Sequence, residues 1–228
     1  MKILLAGDSW TFRPRTEFYV PGPTSIADFL IQFGHNVTNI ARPGRSNFFI
    51  INKMQNVLSN DTFDKIIFVQ TDPLRDHVHA NANTGWEELL PDIKWFDDYK
   101  HLQSIMNNIL DKTYKSLNDI GLPINLIGGC SKVNVDLISK YSNLSCLMPS
   151  IPEFLQPGYN APEIWGTSRW QKKIDKKWDL ETIDYILNQI KSTEWLHNNC
   201  PHFLNDLMHP DVFGYKKVAE YISDYLKT

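Results

Sequence analysis

No stretch of this chain approaches the ~18 consecutive apolar residues of a membrane-spanning helix. Met1 to Gly7 holds one lysine and a very short apolar run, without the longer apolar core or small-residue cleavage site of a secretory signal. Cysteine is scarce. Cys130, Cys146 and Cys200 are an odd, widely spaced set, which argues against a disulfide framework and fits the reduced thiols of a cytosol. The expected location is therefore cytoplasmic, and the sequons at Asn36, Asn60 and Asn143 carry no weight. Charge of one sign is not in excess either: 23 basic and 26 acidic residues leave a net charge of −3. The run Lys172-Lys173-Ile174-Asp175-Lys176-Lys177 is basic only locally and reads as a solvated loop or helix face. Neither a nucleic-acid nor a membrane partner is implied.

Also missing is a glycine-rich phosphate loop of either familiar spacing, which disfavours a nucleotide enzyme or a flavodoxin-like cofactor binder. Metal-ligand pairs are lacking as well. His197, Cys200 and His202 lie close together but have no second pair to complete a structural zinc site. Asp76, His77 and His79 read as a solvated loop. No metal and no cofactor is expected.

What is present is alternation. With 42% hydrophobic and 12% aromatic residues, 228 residues suit one large α/β domain over positions 1–228. Lys2 to Ala6 is a short apolar strand that meets Gly7-Asp8. Thr24 or Ser25 caps a helix to about Phe33, and Gly34 stops it. Val37 to Ala41 is a second strand closed by Pro43-Gly44, followed by a helix from Asn47 to Leu58. Lys65 to Val69 is a third strand, apolar enough to be covered on both faces. A long helix over Asp97 to Ile120 carries Leu102, Ile105, Ile109 and Leu117 at helical spacing and ends at Gly121 and Pro123. Ile124 to Ile127 forms a fourth strand, Val133 to Lys140 a helix, and Leu144 to Leu147 a fifth strand. Helices over Leu180 to Trp195 and Val212 to Leu226 close the chain. Such alternation predicts a parallel sheet wound by helices on both faces.

Two segments, at about 72–97 and 149–179, are too long to be plain connections. The second is rich in proline and holds Trp165, Trp170 and Trp178. Both follow strand ends, where the ligand crevice of an open α/β sheet lies. They read as insertions that could roof a site, although a satellite core accounts better for most of the tryptophans.

Gly7-Asp8-Ser9-Trp10 puts a serine on the turn after the first strand, its hydroxyl raised above the sheet edge and backbone N–H groups nearby for an oxyanion. Asp206-Leu207-Met208-His209-Pro210 lies just ahead of the last helix. A hydroxyl nucleophile needs a base, and the base needs a partner that fixes its tautomer. An aspartate three residues before a histidine can meet the far imidazole nitrogen and leave the near one for Ser9. With its serine so near the N-terminus and Gly7-x-Ser9-x-Thr11 in place of a full nucleophile elbow, the chain suits the α/β-hydrolase fold poorly.

Gly-Asp-Ser after strand one, paired with Asp-x-x-His-Pro before the last helix, resembles the SGNH (GDSL-like) hydrolases. The block Ala41-Arg42-Pro43-Gly44-Arg45-Ser46-Asn47 is similar to that family's second block. The resemblance implies a flavodoxin-like three-layer α/β/α sandwich with a five-stranded parallel sheet, and serine esterase chemistry on a small-molecule ester; the tryptophan-rich insertions admit a carbohydrate ester, since aromatic faces stack on sugar rings. It implies a triad of Ser9, Asp206 and His209, with the N–H groups of Ser9 and Gly44 in the oxyanion hole. The family's Gly-x-Asn-Asp block is altered here to Val69-Gln70-Thr71-Asp72-Pro73. Thr71 stands at the place of the donating asparagine, with Gln70, on the opposite face of the strand, as the alternative third donor. That departure also admits a second reading, a binding module that kept the fold and lost efficient chemistry.

Overall fold

The structure is a computed structural model that describes residues 1–11, 22–73, 75–76, 98–161, 178–202 and 209–227. In chain order it contains β1 (Lys2–Ala6), α1 (Ile26–Gln32), β2 (Asn36–Asn39), α2 (Asn47–Leu58), β3 (Lys65–Gln70), α3 (Tyr99–Asn118), β4 (Ile124–Gly128), α4 (Val135–Ile138), β5 (Leu144–Met148), α5 (Ile151–Leu155), α6 (Leu180–Asn199) and α7 (Val212–Tyr225). Every strand pair is parallel, and the sheet order is β2-β1-β3-β4-β5. This is the doubly wound flavodoxin-like order, as the resemblance implies.

Strand periodicity sorts the core into two halves, because successive side chains leave opposite faces of a strand. Ile3, Leu5, Ile67, Val69 and Ile127 point to one face, where α1, α5 and α7 bury Leu30, Leu155, Tyr215 and Ile222 against them. Leu4, Ala6, Ile66, Phe68 and Leu126 point to the other, covered by Ile50 and Met54 of α2 and by Leu110, Tyr114 and Leu117 of α3. Helices on both faces of one sheet make three layers. A smaller cluster of Leu102, Met106, Ile186 and Ile190 joins α3 to α6, and Trp178 packs against it. That tryptophan serves a satellite core; Trp165 and Trp170 lie outside the described residues.

Local chemistry sets the ends of the elements. Ser25 caps α1 in a capping box with Asp28. Ser46 caps α2, whose bounds coincide with those read from the sequence. Three elements differ from expectation. β2 stops at Asn39, two residues early, because the Asn39 carboxamide accepts the Ala41 N–H at 2.9 Å and turns the chain. The helix expected over Val133 to Lys140 is a single turn, since the Val133 N–H is bonded to the Pro149 carbonyl and Asn134 caps only the short turn that begins at Val135. Within the proline-rich segment after β5, Ser150 caps α5, and Pro152 sits in its first turn, where no intrahelical N–H is needed. No helix among the described residues is long and apolar enough to cross a membrane.

The chain leaves β1 toward β2 on one side and later enters β3 on the other, so a crevice opens between the carboxyl ends of β1 and β3. Ligands of open α/β sheets bind at such a switch point.

Candidate active site

The crevice is built on a turn. As β1 ends, the Asp8 carbonyl accepts the Thr11 N–H at 3.2 Å and the Thr11 hydroxyl at 2.8 Å, while Asp8 Oδ1 accepts the Trp10 N–H at 3.0 Å. Gly7 lets this turn lie against β3: a Cβ there would stand 2.9 Å from Val69 Cβ and 3.0 Å from the Val69 carbonyl oxygen. Ser9, at the apex, is 9% exposed.

Its partner arrives from the other end of the chain. His209 Nε2 lies 2.8 Å from Ser9 Oγ, and the imidazole sits on the buried Trp10 ring at a centroid distance of 5.5 Å. The segment entering α7 is held where it meets the turn. Asp211 caps the helix, its carboxylate accepting the Gly214 N–H, and its own N–H bonds to the His202 carbonyl at 2.8 Å. Tyr215, fully buried one turn further on, donates its hydroxyl to the Ser9 carbonyl at 3.3 Å. Burial pushes that phenol well above its ordinary range, so it acts as a donor rather than an anion. Asp206, expected on the far imidazole nitrogen, lies outside the described residues.

Gly44 sits in the turn after β2 with φ at 70°, a conformation glycine adopts without strain. The Arg45 N–H reaches the Arg42 carbonyl across this turn, and the Arg42 N–H bonds to the Gly7 carbonyl at 3.0 Å. The glycine loop is thereby tied to the strand end that carries Ser9.

The two residues at the end of β3 behave differently from a free carboxamide donor. Gln70 is fully buried and faces the α3 layer. Its oxygen accepts the Tyr114 hydroxyl at 2.6 Å, and its amide donates to the Lys132 carbonyl at 3.2 Å. Thr71 faces the crevice side, but its hydroxyl donates its one proton to Asp8 Oδ2 at 2.6 Å. No second proton is left to give an oxyanion. Asn47 clamps the Thr71 backbone, accepting its N–H at 2.9 Å and donating to its carbonyl at 3.3 Å.

Three side chains were not singled out for the site by sequence reasoning. Asp8 is fully buried, and its Oδ2 also receives Arg75 Nη1 at 2.7 Å. Burial lowers the Arg75 guanidinium, but Asp8 and further anionic neighbours more than offset this, so it stands above its ordinary value. Asp76, next along, accepts Asn47 Nδ2 and the Phe48 N–H, both at 2.9 Å. It is therefore a buried partner of α2 rather than the solvated loop residue expected. No local motif announces these pairings, which join residues 67 and 28 positions apart for Asp8–Arg75 and Phe48–Asp76.

The remaining ligand-type residues do not gather. Among the described residues no group of three or more histidine, cysteine or acidic side chains could hold a metal. His202 Nε2 lies 2.8 Å from Lys217 Nζ, Cys200 is buried, and His77 and His79 lie outside the described residues. Cys130 is fully buried at the end of β4, and burial, with Asp72 nearby, pushes its thiol well above the ordinary range. A thiol held protonated is no nucleophile.

No family model matches the chain, and no curated protein does. Among solved structures it is similar to the psychrotrophic esterase EstA from Pseudoalteromonas sp., at 11% identity and a TM-score of 0.45, over 99% of this chain and 96% of that one. It is similar to the acetyl xylan esterase AlAXEase at 16% identity and a TM-score of 0.43, over 99% and 100%. A member of the lipolytic protein G-D-S-L family from Veillonella parvula DSM 2008 is matched at 14% identity and a TM-score of 0.43, over 99% and 98%.

Proposed function

We propose that this protein is a serine ester hydrolase of the SGNH kind, forming an acyl-enzyme on Ser9. The observation that carries the reading is the 2.8 Å contact between Ser9 Oγ and His209 Nε2, made by residues 200 positions apart at the switch point of the sheet. In the reaction, Nε2 accepts the Ser9 proton as Oγ attacks the ester carbonyl carbon. The backbone N–H groups of Ser9 and Gly44 receive the oxyanion. Collapse of the tetrahedral intermediate expels the alcohol, protonated by His209. Water then repeats the sequence on the acyl-enzyme and releases the acid. Asp206 holds the imidazole in the tautomer that leaves Nε2 open. The substrate is an ester of a small alcohol or a sugar; Trp165 and Trp170 in the sequence of the 149–179 segment support the sugar, since aromatic faces suit sugar rings.

The test is reaction of the intact protein with a fluorophosphonate probe. One adduct per chain is expected, located on Ser9 and absent from Ser9→Ala, with turnover of an activated ester falling roughly 10³-fold or more in Ser9→Ala and His209→Gln. A second reading, binding without efficient turnover, is favoured by the commitment of the Thr71 hydroxyl to Asp8. A folded chain that takes up no adduct supports that reading instead.

A further inference from the structure

Asp8 poses an electrostatic problem for the chemistry. Its carboxylate is fully buried one residue ahead of Ser9, whose N–H is to receive the negative charge of the tetrahedral intermediate. A second negative charge a few ångströms away, at an effective dielectric near 20, would slow acylation roughly 100-fold. The fold answers with Arg75, carried by the connection after β3, whose Nη1 lies 2.7 Å from Asp8 Oδ2. Thr71 donates to the same oxygen at 2.6 Å and the Trp10 N–H to the other at 3.0 Å, so the carboxylate is held from three directions. Two of those holds cross from β3 to β1, and the third fixes the backbone immediately after Ser9.

We infer that Arg75 is a positioning residue for acyl transfer: it neutralises Asp8 beside the forming oxyanion and, through Asp8, fixes the turn that aims the Ser9 hydroxyl and N–H. The inference rests on the proposed role of Ser9. It assigns the altered block after β3 a function of its own. Thr71 completes a charge-compensated clamp under the nucleophile instead of touching the substrate. Arg75 acts mainly on the transition state, where the second negative charge appears, so its loss belongs in kcat more than in KM.

Charge compensation makes a prediction that a plain structural ion pair does not. Arg75→Met leaves the Asp8 charge uncompensated, and kcat on an activated ester should fall roughly 100-fold with KM nearly unchanged. Fluorophosphonate labelling should slow in parallel. Removing the charge as well, in Asp8→Asn/Arg75→Met, should recover at least ten-fold of that loss, and Asp8→Asn alone should lose less than Arg75→Met. Arg75→Lys should recover part, keeping the charge without the planar fork. If Arg75→Met does not fold, the double variant, which buries no lone charge, is compared with wild type instead: it should turn over within roughly ten-fold of it, and a loss of roughly 100-fold overturns the inference. An Arg75→Met enzyme as fast as wild type, or a double variant slower than Arg75→Met, overturns the inference while leaving the hydrolase reading intact. A wild-type chain that takes up no adduct overturns both.

Discussion

Thr71 and Gln70 are adjacent, and each has been committed to a different layer of the molecule. Strand alternation explains the split, since neighbours on β3 must leave opposite faces. The sequence made that alternation legible but not the partners, because Tyr114, Lys132 and Asp8 come from elements far along the chain. Gln70 fills a buried polar gap: it accepts from the Tyr114 hydroxyl, which itself accepts the Asn134 N–H at 3.1 Å, and it donates to the Lys132 carbonyl. Gln70→Leu would leave buried polar groups unmatched, at a cost of about 2–3 kcal/mol. Its kcat per folded molecule should equal wild type. Thr71→Val removes a bond to a charged acceptor and should also cost about 2 kcal/mol. Its kcat should drop through loosening of Asp8, by less than in Arg75→Met. Urea denaturation alongside steady-state kinetics separates the two. A Gln70→Leu enzyme of normal stability and crippled turnover would return Gln70 to the oxyanion hole.

At the scale of elements, boundaries governed by adjacent residues were readable and those governed by remote contacts were not. The bounds of α2 follow from Ser46 and the apolar spacing of Ile50, Ile51 and Met54, and they match expectation. Its deeper anchor was invisible, since Asp76 reaches the helix start from the connection after β3. An anion at a helix N-terminus is favourable, yet burial raises the Asp76 carboxyl above its ordinary value against the hydrogen bonds that lower it. The native state therefore holds that proton more tightly than the unfolded chain. The resulting contribution to stability is fully present below the ordinary carboxylate pKa of 3.8 and is lost as pH rises through the higher native value. Asp76→Asn cannot titrate. The stability difference, wild type minus Asp76→Asn, should accordingly decline as pH is raised from about 4 to about 7, on top of a constant loss from the altered hydrogen bonds. Urea unfolding at several pH values checks this, and a difference that grows with pH would mean that hydrogen bonding outweighs burial at this carboxyl.

For the molecule as a whole, the sheet order converts distance in sequence into proximity in space. The switch point lies between β1 and β3, and α7, packed with α1 on one face of the sheet, delivers His209 and Tyr215 to the turn after β1. Neither half of the Ser9–His209 pair is local to the other, so the pair exists only while the first and last elements are docked in one core. The small cluster of Leu102, Met106, Ile186 and Ile190 is different: it joins the first half of α3 to the first half of α6 as a cluster separate from the two that pack on the sheet. Regions with little buried apolar contact open at lower free energy than the main core. Amides in the first turns of α6 should therefore exchange through a sub-global opening in urea concentrations that leave the proposed turnover of an activated ester and the protection of β1, β3 and α7 intact. Ile186→Ala should widen that window, lowering protection of α6 by about 2–4 kcal/mol with kcat unchanged. Ile222→Ala, in the buried face of α7, should instead bring loss of activity and global unfolding to lower urea together. If Ile186→Ala cost turnover in step with α6 protection, the satellite cluster would be part of the unit that holds Ser9 against His209, and its separation from the main core would have to be given up.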